Sequence, residues 1–233
     1  VDELRVRTGG TGEPNIVLLH GLGATSEVWD GVTERLTGSW IAPDLPGHGG
    51  SRRLAEYTFD RLADALAPCV PPDPVLVGHS LGGVLALALA ARVRARSVLA
   101  IGVKVVWAQE ELDRAAAMAA RPGKLFATRE EAAERYLKVA GLTGPDAPDA
   151  GLVREPGGWG LALDNRAFGV GAPDMRALLD GAGCPVVLAA GAEDPMCRPE
   201  QLRALDPEAV VLPGLGHNAH AEDPAAVAEL ISR

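Results

Sequence analysis

Cysteine is scarce in this chain: Cys69, Cys184 and Cys197 are the three among 233 residues, odd in number and far apart. That spacing supplies neither a disulfide framework nor a Cys/His zinc set, and it suits free thiols in a reducing compartment. Lysine is equally rare, with Lys104, Lys124 and Lys138 alone against an abundance of arginine, a bias that reads as GC-rich coding rather than function. Positive charge is outnumbered, and a net charge of −9 argues against a nucleic-acid partner, which basic phosphate contacts would have to hold. There is no internal repeat and no low-complexity segment. The longest apolar stretch, 75–91, is interrupted at its start by His79, Ser80 and three glycines and closed by Arg92, Arg94 and Arg96, too short to span a membrane. No secretory apolar segment precedes the first expected strand, so a cytoplasmic protein is expected, although the chain opens at Val1 and its natural start is left open.

What is present fits one α/β domain with an insertion, since 233 residues, 47% of them hydrophobic, can bury a sizeable core. Short continuous apolar runs mark strands buried on both faces at 16–19, 40–43, 75–77, 97–101, 186–190 and 210–212, with an edge strand at 4–8 and a turn at 9–14. Helical spacing falls between them, at 29–36, 57–69, 81–93, 199–205 and 224–232. Strands alternating with helices predict a doubly wound, mostly parallel sheet covered on both faces. The alternation breaks between Lys104 and Gly183. There 109–120, 129–140 and 174–180 read as helices and 143–160 as a Pro/Gly/Asp-rich loop, without a strong strand. The expected division is a core of 1–103 and 183–233 with a helical lid insertion at 104–182, over the carboxyl ends of the strands where open α/β sheets bind ligands.

One motif carries the chemistry. Val75-Leu76-Val77 runs into Gly78-His79-Ser80-Leu81-Gly82, and an Ala/Leu-rich helix follows at once. Six serines and 28 glycines would produce about 0.1 such pentapeptides by chance, so the strand before and the helix after matter more than the pattern. A serine on a tight strand-to-helix turn is held strained with its hydroxyl exposed, and the N–H of Leu81 opens the helix toward negative charge. A bland reading makes Ser80 a buried serine in a Gly-rich turn.

A serine nucleophile needs a base and an acid to orient it. Five histidines are available. His79 adjoins Ser80 and should point away from its hydroxyl. His20 ends a strand at His20-Gly21-Leu22-Gly23, where the backbone can offer a second N–H for an oxyanion, and His48 sits in a turn. His217 follows the last strand in a Gly-rich loop and is favoured as the base, with His220 as the backup, more readily a packing or substrate-facing residue. For the acid, 186–190 leads into Gly191-Ala192-Glu193-Asp194-Pro195. Asp194 is preferred to Glu193 by its spacing from Gly191, and the strand after the motif ends at Gly102-Val103-Lys104 without a carboxylate.

These pieces, with Asp44-Leu45-Pro46-Gly47-His48-Gly49-Gly50-Ser51, resemble α/β-hydrolase-fold proteins over essentially the whole chain, in the family's Ser…Asp…His order. The resemblance implies Ser80 as nucleophile, His217 as base, Asp194 as orienting acid, Leu22 and Leu81 as backbone oxyanion donors, and no cofactor or metal. It also implies that 44–51 is mainly structural. The family usually begins with a hairpin, whereas 4–8 supplies one strand. The expected reaction is hydrolysis of an ester, thioester or lactone of a small to medium apolar molecule, with Trp107, Trp159 and His220 as candidate substrate contacts. The aromatics at 107, 126, 136, 159 and 168 could equally pack the insertion. Residues 216–224 also resemble menaquinone-pathway synthases and carbon–carbon bond hydrolases of this fold, although His79 and Val84 stand where those synthases carry Tyr and Arg. A non-enzymatic ligand receptor on the same fold is the reading from another class.

Overall fold

The computed structural model describes residues 4–12, 15–144 and 146–233. Its strands are β1 (Val6–Gly9), β2 (Ile16–Leu19), β3 (Trp40–Pro43), β4 (Val75–His79), β5 (Ser97–Ile101), β6 (Leu152–Glu155), β7 (Gly158–Leu161), β8 (Val186–Gly191) and β9 (Val210–Leu212). Its helices are α1 (Asp30–Thr33), α2 (Phe59–Leu66), α3 (Leu81–Ala90), α4 (Gln109–Ala119), α5 (Arg129–Ala140), α6 (Met175–Gly181), α7 (Pro199–Leu205), α8 (Ala219–Glu222) and α9 (Pro224–Ile231).

Seven strands form one sheet in the order β1-β3-β2-β4-β5-β8-β9, parallel except for β1, which pairs antiparallel with β3. The central strands β2 and β4 are buried along their whole length, which is why they read as unbroken apolar runs rather than alternating ones. One face of the sheet packs on α2, α3, α6 and α7 through Leu62, Leu85, Met175 and Leu202. The other packs on α1 and α9 through Trp29, Val32 and Val227. The strand expected at 4–8 is β1. The turn expected at 9–14 ends in Glu13 and Pro14, which lie outside the described residues.

Every residue of α3 is buried. The helix lies on β4 and β5 and is covered by α2 and α6, so it has no polar face to show. The apolar stretch at 75–91 is therefore a central strand and its helix, and among the described residues no helix is long and apolar enough to cross a membrane. The two elements meet so closely that a Cβ on Gly78 would sit 2.0 Å from the carbonyl oxygen of Gly82. Because backbone rather than a flexible side chain stands in the way, Gly78→Ala is expected to cost about 3 kcal/mol or more, read as a fall in the urea unfolding midpoint. An unchanged midpoint would show that the turn opens freely.

Between β5 and β8 the chain departs from expectation. The stretch read as a loop at 143–160 carries the hairpin β6–β7, in register from Leu152 opposite Leu161 to Glu155 opposite Gly158. Its turn is Pro156-Gly157, with Gly157 at φ +104°, the proline-then-glycine order of a type II turn. The strands are only four residues long, β6 carrying two charges and β7 two glycines, and beyond each other they pair only through a bridge from Trp159 to Phe126, so they show no run and no clean alternation. With α5 they close a small core of their own around Ala133, Tyr136 and Leu152. The segment's last helix, α6, packs on α3 in the main core.

Candidate active site

The elbow between β4 and α3 holds Ser80 at φ 52°, ψ −116°. A non-glycine residue in that region carries roughly 1–3 kcal/mol of strain, which the surroundings must hold in place. They do so through the backbone: the Ser80 N–H donates to the Ile101 carbonyl at 2.8 Å, and its own carbonyl accepts from Gly83 at 3.0 Å. Leu81 is the first residue of α3, so its N–H has no partner within the helix.

The end of β8 brings Asp194 beside the loop after β9. Asp194 Oδ2 lies 2.8 Å from His217 Nδ1, and Oδ1 accepts from the N–H groups of Met196 (2.7 Å) and Cys197 (3.0 Å). Burial pushes the Asp194 carboxyl upward, but the bond from His217 and the two backbone donors outweigh it and hold the group below its ordinary value. Gly102, at φ +62°, makes room at the end of β5, since a Cβ there would lie 3.2 Å from the His217 carbonyl oxygen and 3.4 Å from Asp194 Oδ2. Glu193 points elsewhere in function: its N–H donates to Leu215, which fixes the turn.

Four features of this neighbourhood had no signal in the sequence. Glu222, on the four-residue α8, accepts from the N–H groups of Gly216 and Asn218 and so clamps the backbone on both sides of His217. Asn218 donates to the Gly141 carbonyl at the end of α5, at 2.7 Å. Tyr136 of α5 shares a buried 3.2 Å hydrogen bond with Thr25, just past the loop after β2. The His79 ring reaches across to the carbonyl of His217 at 2.8 Å. The helix α5 thus rests on both loops flanking the elbow.

The loop 20–23 lies against the elbow, for a Cβ on Gly21 would be 3.5 Å from Ser80 Cβ. His20 is fully buried and ties this loop to the next turn: its Nε2 accepts from the Leu45 N–H at 2.9 Å, which leaves Nδ1 to donate to the Gly21 carbonyl at 2.8 Å. Asp44 anchors that turn by accepting from Ser26 N–H (2.9 Å), the Arg5 guanidinium (2.9 Å) and Gly50 N–H (3.2 Å). The segment between β5 and β8 returns to the same turn, with Asp164 N–H donating to Gly47 and Gly49 N–H to Ala162, both at 2.7 Å.

The candidate substrate contacts lie in different settings. His220 is 1% exposed, wedged between the rings of Trp29 (4.6 Å) and His79 (4.2 Å), so it is a packing residue without an open face. Burial and the nearby His217 and His20 push its imidazole down to about 3, which removes it as a backup base at neutral pH. Trp159 packs in the small core around Ala133, Tyr136 and Leu152, its backbone paired with Phe126 at 2.8 Å in both directions. Trp107 follows β5, half-buried under the Lys104 ammonium at 4.8 Å.

The model of the alpha/beta hydrolase family matches residues 16–230. A pimeloyl-[acyl-carrier protein] methyl ester esterase of Neisseria meningitidis serogroup C is 33% identical over 204 residues, 79% of this chain and 77% of the relative. The protein of that name from Chromobacterium violaceum is 32% identical over 214 residues, 82% of this chain and 80% of the relative. Among solved structures, E-2-(acetamidomethylene)succinate hydrolase superposes with a TM-score of 0.81 at 25% identity, covering 98% of this chain and 93% of that one. With most of its length matched by the family model and two relatives above 30% identity, the chain belongs to the alpha/beta hydrolase family.

Proposed function

We propose that the chain hydrolyses carboxylic esters through a covalent acyl-enzyme on Ser80, with His217 as general base and Asp194 as its orienting acid. The observation that carries this reading is the 2.8 Å bond between His217 Nδ1 and the buried Asp194 carboxylate, in a loop tied to the strained Ser80 turn. Asp194 accepts the Nδ1 proton and so leaves Nε2 bare to take the hydroxyl proton. Ser80 Oγ attacks the carbonyl carbon as that proton moves to His217. The oxyanion then faces the N–H groups of Leu22 and Leu81, in a site where fixed donors act more strongly than water. His217 gives its proton to the departing alkoxide, which leaves as the alcohol. Water, deprotonated by the same imidazole, cleaves the acyl-enzyme and releases the acid.

The curated relatives are named for a methyl ester on an acyl chain. A small alcohol leaving group with an extended acyl portion is accordingly the substrate class, the acyl chain lying under residues 104–182 as a lid. Within that lid α5 and the hairpin form the cover, Trp107 is the aromatic side chain available to the acyl chain, Trp159 packs the cover itself, and α6 is the anchor. The test is incubation with a fluorophosphonate, with mass-spectrometric mapping of the adduct, beside turnover of methyl, ethyl and p-nitrophenyl esters of C4 to C10 acids. The expected result is an adduct on Ser80 and turnover fastest for the methyl esters. An adduct elsewhere would overturn the assignment. Labelling of Ser80 without turnover of any ester would point to a ligand receptor.

A further inference from the structure

All five histidines of the chain lie in one region, and four of them have buried rings. His20 stacks edge-on against His48 at 5.2 Å, while His79 lies 4.7 Å from the His217 ring and 4.2 Å from that of His220. Within this group His79 alone touches three parts of the site at once. It precedes Ser80 in the chain, its Nε2 bonds the His217 carbonyl, and its Nδ1 faces the loop after β2, where a Cβ on Gly21 would stand 2.8 Å from it. A carbonyl oxygen only accepts, so Nε2 must carry the proton and Nδ1 is bare. Burial, followed by the nearness of His220 and His217, holds this imidazole well below its ordinary value, so it stays a neutral single donor.

We propose that His79 is a positioning residue for the base: its Nε2–H, fixed between Gly21 and His220, holds the His217 backbone at the height from which the imidazole serves both Asp194 and Ser80. This rests on the Ser80–His217 reading above. What else holds the loop lies on the opposite side of the same peptide. Glu222 accepts from the N–H groups of Gly216 and Asn218, and the Asn218 N–H shares one rigid peptide plane with the His217 carbonyl, so Glu222 holds that plane by one edge and His79 by the other. That carbonyl is the group His79 fixes. A neutral ring is suited to the task, because a cation there would draw the base's electrons and repel the imidazolium formed during turnover.

A matched pair of substitutions tests this. Gln in place of His79 keeps an N–H near the Nε2 position, and Met has the same length without the donor. With both folded, as judged by thermal unfolding, His79→Gln is expected to keep kcat within about threefold of wild type. His79→Met is expected to lose about 10- to 100-fold in kcat with KM little changed, as for a misplaced catalytic group. The downfield proton resonance of the His217–Asp194 bond should persist in His79→Gln and broaden away in His79→Met. Equal kcat in the two variants would overturn the inference. If His79→Met does not fold, 15N imidazole spectra of the wild-type protein decide: protonation at Nε2 of His79 supports the inference, and protonation at Nδ1 refutes it. Ser80→Ala run alongside separates the two layers. Should Ser80→Ala keep turnover, the nucleophile assignment falls and takes this inference with it. Should Ser80→Ala be inactive while Met and Gln match, only the role of His79 falls.

Discussion

Ser80→Ala is expected to lower kcat for the best ester by about 10⁴- to 10⁶-fold, with KM within a few-fold of wild type. On the proposed mechanism the variant removes the atom that bonds to the acyl carbon, so the two-step path would close and leave only water attack beside the proposed oxyanion donors. For the same reason the losses do not add. His217→Ala should fall about as far as Ser80→Ala, and the double variant should be no worse than either, because a base without a nucleophile has nothing to activate. Asp194→Asn should sit higher, at about a 10⁴-fold loss, since it leaves a ring in place but in the wrong tautomer. Single-turnover measurement with a p-nitrophenyl ester reads all four. Ser80→Ala turning over at more than a hundredth of the wild-type rate would sink the acyl-enzyme.

Mild acid is expected to destabilise the protein before the carboxylates titrate. Burial pushes His48 and His220 down to about 3, and it lowers His20 and His79 as well. In the unfolded chain each returns to its ordinary value near 6.5, so below that pH the unfolded state binds more protons than the folded one. The stability these residues contribute is therefore complete above about pH 6.5 and is lost progressively as the pH falls toward their folded values. At pH 5 the loss is about 2 kcal/mol each for His48 and His220, about 4 kcal/mol together, a large share of what a domain holds in total. Asp194, also held low, works in a lower window: its contribution disappears only as the pH falls below the ordinary carboxylate value. Urea titrations at pH 7.5 and pH 5 give the difference directly, and His220→Phe should flatten it. Equal stability at both pH values would mean that the imidazoles are reached by water.

The parts of this molecule that were legible in the sequence are those whose signal is local. β2 and β4 are central parallel strands, so burial on both faces wrote itself as Ile16-Val17-Leu18-Leu19 and Val75-Leu76-Val77. The elbow was legible because Gly78 and Gly82 answer a contact of backbone with backbone that no other residue meets. His217 and Asp194 could be paired because each ends a recognisable strand and few histidines competed. The hairpin β6–β7 was not legible, being built from short strands rich in glycine and charge that stand outside the main sheet. Nor was Glu222, because four helical residues have no period to detect. His79 was expected to point away from the Ser80 hydroxyl, but where it would point depended on a carbonyl 138 residues further along the chain. Single polar residues that act across such distances carry no pattern in their own neighbourhood.

The bond from Asn218 to the last carbonyls of α5 has an evolutionary reading. The residue that follows His217 in the chain also caps the helix expected to lie over bound ligand, and Tyr136 on that helix reaches the loop on the other flank. If α5 covers the ligand and His217 is the base, as proposed, drift in that cover is transmitted to the His217 loop unless it spares Tyr136, Gly141 and Asn218. On that proposal, selection for a new acyl group could roam across the hairpin and α4, while these three residues would mark the border at which change in specificity becomes change in rate.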